Sequence, residues 1–197
     1  HFMIEHHRAV FDGIGEAISE VGGYSVTVED REGTEKRAYL LQTAEKGIAW
    51  LRLNAHGRAG HGSVPNPDNA IVHLAGAIER TAAHKWPREY IASVRELLDG
   101  LSGMTGVGWS DEDLDELLSH LGGAAGFVRG TLSDTANVTM LQAGYKQNVI
   151  PQHAHANVDC RFLPDHEDDL MATIRDLAGD QVEVEVRRDP GALLHLV

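Results

Sequence analysis

The chain has 197 residues, 42% of them hydrophobic and 24% charged, which are the proportions of an ordinary globular protein with enough apolar material for a sizeable core. Thirty acidic residues against 17 basic ones leave a net charge of −13, the wrong sign for a phosphate-binding surface, so neither nucleic acid nor an anionic membrane is an expected partner. Cys160 is the only cysteine, which excludes an internal disulfide and a thiolate metal cluster. No apolar run has the length of a bilayer span, and a cytoplasmic setting is the default expectation.

In chain order, residues 3–21 carry Ile4, Val10, Phe11, Ile14, Ala17 and Ile18 at helical spacing, interrupted by Gly13 and Gly15 and stopped by Gly22-Gly23. Residues 24–43 read as a hairpin turning at Gly33. Ile48 to His56 is a long strand. Ala49, Leu51, Leu53 and Ala55 form a core face; Ile48, Trp50, Arg52, Asn54 and His56 form a mixed outer face suited to a subunit contact. The loop Gly57-Arg58-Ala59-Gly60-His61-Gly62-Ser63 follows. Its glycines free the backbone around one imidazole.

Pro65, Pro67 and Asp68 announce a helix with an apolar stripe of Ala70, Ile71, Leu74, Ala75 and Ile78, closed by Pro87. Residues 88–130 are helical and punctuated by glycine, with one stripe at Ile91, Val94, Leu97, Leu98 and Leu101 and another at Leu114, Leu117, Leu118 and Leu121. The acids of Ser110-Asp111-Glu112-Asp113 suit the positive end of that second helix. Asn137 to Tyr145 is a strand, with Val138 and Met140 on one side and Leu141 and Ala143 on the other. A turn at Gln147–Pro151 leads into a strand from Ala154 to Phe162 that alternates cleanly. A helix opened by Pro164-Asp165 and ended by Gly179 carries Leu170, Met171, Ile174 and Leu177, and Val182, Val184 and Val186 mark a last strand.

From residue 46 the order is β-α-β-β-α-β with a helical insertion at 88–130. This predicts an α+β, ferredoxin-like domain: a four-stranded antiparallel sheet with helices on one face. The expected division is a helix-and-hairpin segment over 1–45, the ferredoxin-like domain over 46–189 and a tail over 190–197. The fold by itself assigns no activity.

The polar candidates are few. His61, in its flexible loop, can donate to an oxyanion or a carbonyl. Ser63 is too near it in sequence to be its nucleophile, and the loop lacks both phosphate-binding fingerprints. An amide at Asn148 can fix a backbone-like group, and a guanidinium at Arg161 can grip a carboxylate at two points. His6 with His7, and His153 with His155, are the only close histidine pairs; the second shares one strand face as a metal pair does.

Several ordered motifs, Glu45–Leu53, Gly57–Ser63, Asn69-Ala70, Asn148-Val149-Ile150-Pro151 and Asp159–Pro164, together resemble the dimerisation (lid) domain of the aminoacylase and carboxypeptidase G family of two-zinc amidohydrolases. That family includes succinyl-diaminopimelate desuccinylase and acetylornithine deacetylase. The resemblance covers about residues 16–188 and implies a homodimer formed through the lid. It also implies a peptide or N-acyl amino acid substrate, and a loop histidine, here His61, that reaches the partner's active site to stabilise the tetrahedral intermediate. Asn148 matches a substrate-side asparagine, Arg161 a substrate-carboxylate arginine, and Glu20 an acidic zinc ligand. The remaining motifs for two zincs do not occur in these residues, so a fragment without activity of its own is the expectation. The competing expectation is a non-catalytic ferredoxin-like association or ligand-sensing module.

Overall fold

The computed structural model describes residues 6–15 and 24–187. The chain divides into two compact units, one of residues 1–43, 96–125 and 191–197 and the other of 44–95 and 126–190.

In the second unit, β3 (Gly47–His56), β5 (Thr135–Ala143), β7 (His153–Phe162) and β8 (Val182–Val186) form an antiparallel sheet in the order β5-β7-β3-β8. Counted within this unit, the order is 2-3-1-4, that of a ferredoxin-like sheet. The two central strands pair in full register from Gly47↔Phe162 to His56↔His153. Two-residue periodicity sends Ala49, Leu51, Leu53 and Ala55 to the same face as Ala154, Ala156, Val158 and Cys160, and all are buried. Against that face lie α1 (Ala70–Ala83), through Leu74 and Ala77, and α5 (Glu167–Ala178), through Leu170, Met171 and Ile174. Each fully buried leucine or isoleucine here is worth about 1.5–3 kcal/mol of transfer free energy. Arg80 ties the two helices by donating from Nε to Leu177 O (2.7 Å) and from Nη2 to Ala178 O (2.9 Å).

Gly47 begins β3 because a Cβ there would overlap the Phe162 ring stacked across the ladder. Lys46, just before it, is half-buried and donates from Nζ to Ser133 O (2.6 Å) and Gly130 O (3.1 Å). Burial lowers its pKa, Asp134 counteracts this, and Arg161 adds to it.

Several helix starts shift from expectation. Asn69, not the prolines, caps α1, its Oδ1 accepting from Ile71 N at 2.9 Å. The helix ends at Ala83, before Pro87 is reached. Pro164-Asp165 stands ahead of the start of α5 at Glu167, with Asp165 in the left-handed region at φ 68°. β5 also departs from simple alternation. A bulge between Val138 and Met140 resets its phase, so Val138 packs on the core side while Met140 lies opposite Asn157 on the other face.

In the first unit, β1 (Ser25–Glu29) and β2 (Glu35–Tyr39) form the hairpin, which ends at Tyr39 rather than at the expected residue 43. Asp30 Oδ1 accepts from Glu32 N (3.0 Å) and Thr34 N (2.9 Å), and these bonds with Lys36 hold its carboxyl below the usual range. The unit also contains most of α2 (Ala92–Thr105) and α3 (Leu114–Ser119), where Leu98, Leu101, Leu114, Leu117 and Leu118 are buried. Lys36 Nζ donates to Met104 O (2.7 Å), and His120 Nδ1 lies 2.7 Å from Glu29 O. Of the acids before α3, Asp113 is engaged locally: Ser110 Oγ donates to Asp113 Oδ2 and accepts from Asp113 N. A further short helix, α4 (Ala125–Gly130), precedes β5. Of the helical pattern over 3–21, the described part, 6–15, holds one 3-10 turn at Arg8–Phe11 with Val10 and Phe11 exposed.

Candidate functional site

The glycine loop is a built object rather than a slack connection. Gly57 lies against the start of α1, where a Cβ would come 2.6 Å from Ala70 N and 2.7 Å from Asp68 O. Its N–H donates to Gln152 O, and Arg58 N donates to Asp68 O. Asn66 braces the turn, donating from Nδ2 to Arg58 O (2.6 Å) and accepting at Oδ1 from Asp68 N (3.0 Å).

Beyond this brace, β4 (Gly60–His61) pairs antiparallel with β6 (Val149–Ile150), and Gly62 N donates to Asn148 O at 2.9 Å. This miniature sheet joins two segments 87 residues apart and places Asn148 Nδ2 3.4 Å from His61 Nε2. His61 and Asn148 are therefore neighbours, a proximity that the sequence motifs did not specify, and both are exposed.

Ser63 has a role that sequence reasoning missed. Its N–H donates to His61 Nδ1 at 3.3 Å, and its hydroxyl lies 2.8 Å from the same nitrogen. A nitrogen that receives a backbone N–H is an acceptor, so the neutral ring carries its proton on Nε2. That proton points to the Asn148 side, where the amide oxygen can accept it after rotation about the Cβ–Cγ bond. A histidine fixed this way presents a hydrogen-bond donor, the polarity a developing oxyanion requires.

Arg161 lies elsewhere. It pairs with Ile48 at the opposite end of the β3–β7 ladder from His56, roughly 26 Å away at ~3.3 Å per residue. Its guanidinium forks onto Asp159, Nε to Oδ1 at 2.7 Å and Nη2 to Oδ2 at 3.1 Å. Trp50 Nε1 adds a longer bond to Oδ2 at 3.4 Å. The Arg161 bond holds the Asp159 carboxyl below its ordinary range against the opposing effect of burial. An Asp-x-Arg step on a strand puts both side chains on one face, and that signal for the fork was available in the sequence.

Glu20, the candidate metal ligand, lies outside the described residues. His153 pairs across the ladder with His56 instead of joining His155: their Nδ1 atoms are 2.9 Å apart and the rings meet edge to face. Burial, then Arg52 and Arg187, lowers the His155 pKa. Among the described residues no group of three histidine, cysteine, aspartate or glutamate side chains converges on a metal position. The described residues therefore do not fit a binuclear zinc site, and no chemical step through zinc follows from them.

The fold and the loop together define a ferredoxin-like α+β domain that carries an exposed histidine–asparagine pair at one end of its sheet. The chain belongs to the peptidase dimerisation domain family, whose model matches residues 43–185. Among curated proteins it is similar to the N-fatty-acyl-amino acid synthase/hydrolase PM20D1.1 of Danio rerio, 28% identical over 139 residues, covering 66% of this chain and 27% of the relative. It is also similar to PM20D1 of Xenopus tropicalis, 26% identical over 200 residues, covering 94% of this chain and 35% of the relative. The chain thus spans about a third or less of these relatives. Among solved structures, similarity extends to an M20 family metallo-carboxypeptidase, Sso-CP2, of Sulfolobus solfataricus (TM-score 0.49, 18% identity, covering 84% of this chain and 44% of that one). An aminobenzoyl-glutamate utilization protein of Klebsiella pneumoniae matches at a TM-score of 0.42 with 16% identity, covering 73% of this chain and 28% of that one.

Proposed function

We propose that this chain is the lid and dimerisation part of a metal-dependent amidohydrolase, and that His61 serves the active site of a twin subunit. The observation that carries this reading is the β4–β6 pairing, which holds His61 beside Asn148 while Ser63 N occupies Nδ1. Family membership supports the hydrolase context. The relatives' names, N-fatty-acyl-amino acid synthase/hydrolases, favour an N-acyl amino acid over a peptide as substrate.

In the intact enzyme, two zinc ions in a catalytic domain would supply the activated water; the described residues of this chain hold neither. What this chain does is bind and polarise. Attack on an amide carbonyl turns its oxygen into an oxyanion, and the His61 Nε2–H donates to it. Ser63 keeps the tautomer by holding Nδ1, and Asn148 limits the ring's rotation. The Asn148 contact is long at 3.4 Å, so an incoming oxyanion with full charge displaces it readily. The segment around residues 1–45 is proposed as a strip of the catalytic domain, and the chain alone as inactive.

The test is His61→Ala in the full-length enzyme. Loss of one oxyanion donor lowers kcat by about 10²–10³-fold with KM little changed. An unaltered kcat, or a loss confined to KM, removes His61 from this role. Ser63→Ala, which removes the hydroxyl at 2.8 Å but leaves the backbone N–H on Nδ1, is expected to give a smaller kcat loss; a loss as large as that of His61→Ala would show that the hydroxyl itself fixes the ring.

A further inference from the structure

At one end of the β3–β7 ladder two imidazoles face each other across the sheet. His56 closes β3 directly opposite His153, which opens β7, so the pair is the last in a continuous register between the two central strands. Their Nδ1 atoms are 2.9 Å apart, the ring centroids 4.8 Å apart, and the ring planes stand at 88°. Because the nitrogens are nearer than the centroids, each Nδ1 lies on the edge of its ring that faces the other. Both side chains are exposed, while the backbone beneath them is fixed by the ladder.

Two neutral imidazoles in this position can share one hydrogen bond, in which one Nδ1 donates and the other accepts. The same spacing also suits a metal ion. Two nitrogens each ~2.0 Å from one ion stand ~2.8 Å apart at a right angle and ~3.3 Å apart at the tetrahedral angle. The observed 2.9 Å is close to the first of these, the spacing of adjacent corners in a square-planar or tetragonal site. Copper(II) and nickel(II) favour that geometry, whereas zinc favours the tetrahedral one. Binding needs both Nδ1 lone pairs. The ring that carries its proton on Nδ1 moves it to Nε2, so both rings stay neutral and the ion replaces the shared proton.

The surroundings leave room for such an ion. On the β5 side, a cleft of about 480 Å3 runs against His153 and His155 and is also lined by Gln142, Gln152 and Tyr145, which gives water access to the remaining corners. Glu183, opposite Asn54 on β8, sets an exposed carboxylate on the same face, diagonal to His56. Arg52 lies four residues back along β3 and Arg187 beyond it, opposite Trp50, so by register both cations are further from the pair than Glu183.

We propose that His56 and His153 form a two-imidazole site for a copper(II)-type dication, with water in the remaining positions. The place of the site gives it a structural consequence. His56 leads directly into the 57–63 loop, His153 follows the Asn148 turn, and Gly57 N donates to Gln152 O beside the pair. A metal here clamps the roots of the two segments that meet as β4 and β6. The site makes no contact in the proposed oxyanion step and does not rest on that reading.

The experiment uses the whole chain, 15N-labelled, with the imidazole signals followed by NMR as copper(II) sulfate is added below one equivalent in a non-coordinating buffer. Copper(II) is paramagnetic and broadens the signals of the rings that hold it. The expected result is early, joint loss of the His56 and His153 signals, with a rise in the thermal unfolding midpoint at excess copper. Removing an outer-shell partner of a metal ligand already costs about 10–100-fold in affinity, so His56→Gln and His153→Gln, which each remove a ligand, should each weaken copper binding at least as much. His155→Gln should leave it unchanged. Broadening confined to the histidines of residues 1–7, a His153 signal lost equally in His56→Gln, zinc bound as tightly as copper, or no copper binding in the unsubstituted chain overturns the proposal and leaves the pair a simple hydrogen bond.

Discussion

Cys160 shows how one residue can carry a pH signature for the whole sheet. It sits on the core face of β7 opposite Ala49, fully buried, and burial, then Asp159 and Asp134, pushes its thiol from an ordinary 9.0 up to about 12. Between those values the folded chain keeps a proton that the unfolded chain has released. Stability therefore falls as pH rises from about 9 and levels off near 12. Denaturant midpoints measured across that window should decline, and Cys160→Ala should flatten the decline; an equal slope in the variant would show that other groups cause it. Single residues were unevenly legible in the sequence. His61 and Asn148 stood out because each lies in a compact motif, and the structure places them side by side. The engagement of Ser63 with Nδ1 depends on a turn geometry that spacing does not reveal. Arg161 was legible as an arginine on the outer face, and its neutralisation by Asp159, two residues earlier on the same strand, was open to reading from the Asp-x-Arg spacing.

The elements were easier to read than their ends. Clean alternation over β3 and β7 identified two strands each buried on one face, but alternation leaves two-residue shifts open, so the pairing from Gly47↔Phe162 to His56↔His153 was not legible. Helix starts were misplaced because proline and aspartate are favourable near an N-terminus without fixing the cap, whereas Asn69 makes the bond that does. Asn69→Ala should lower stability by about 1 kcal/mol, measured by urea denaturation; an unchanged midpoint would mean that the loop brace alone sets the start of α1. The β5 bulge could not be read at all, since one extra residue leaves composition intact while reversing the alternation beyond it. In the core of the sheet, Leu53→Ala removes a fully buried side chain flanked by strands on both sides. It should cost about 2–5 kcal/mol in the same assay, and a smaller loss would indicate that α1 and α5 collapse into the space.

At the scale of the whole molecule, the α+β class and the β-α-β-β-α-β order were legible because each element of the second unit is contiguous in sequence. The grouping of 96–125 with the hairpin was not. A helical insertion reads the same wherever it packs, and its leucine stripes say only that it is buried somewhere. Association is the property the family description raises first. We expect light scattering to return twice the 21.4 kDa chain mass at micromolar concentration; a monomer across that range would remove the homodimer from the proposal for this chain.

The β4–β6 pairing makes the His61 loop a two-part cassette. Its halves lie 87 residues apart in sequence, joined by two register pairs and the Gly62–Asn148 bond. Moving 57–63 alone into another scaffold would carry over the imidazole without the strand that orients it. A deletion of one residue near 147 would shift the partner register and turn the ring without touching the loop itself. Any redesign of this corner therefore has to change both segments together, as one transferable piece.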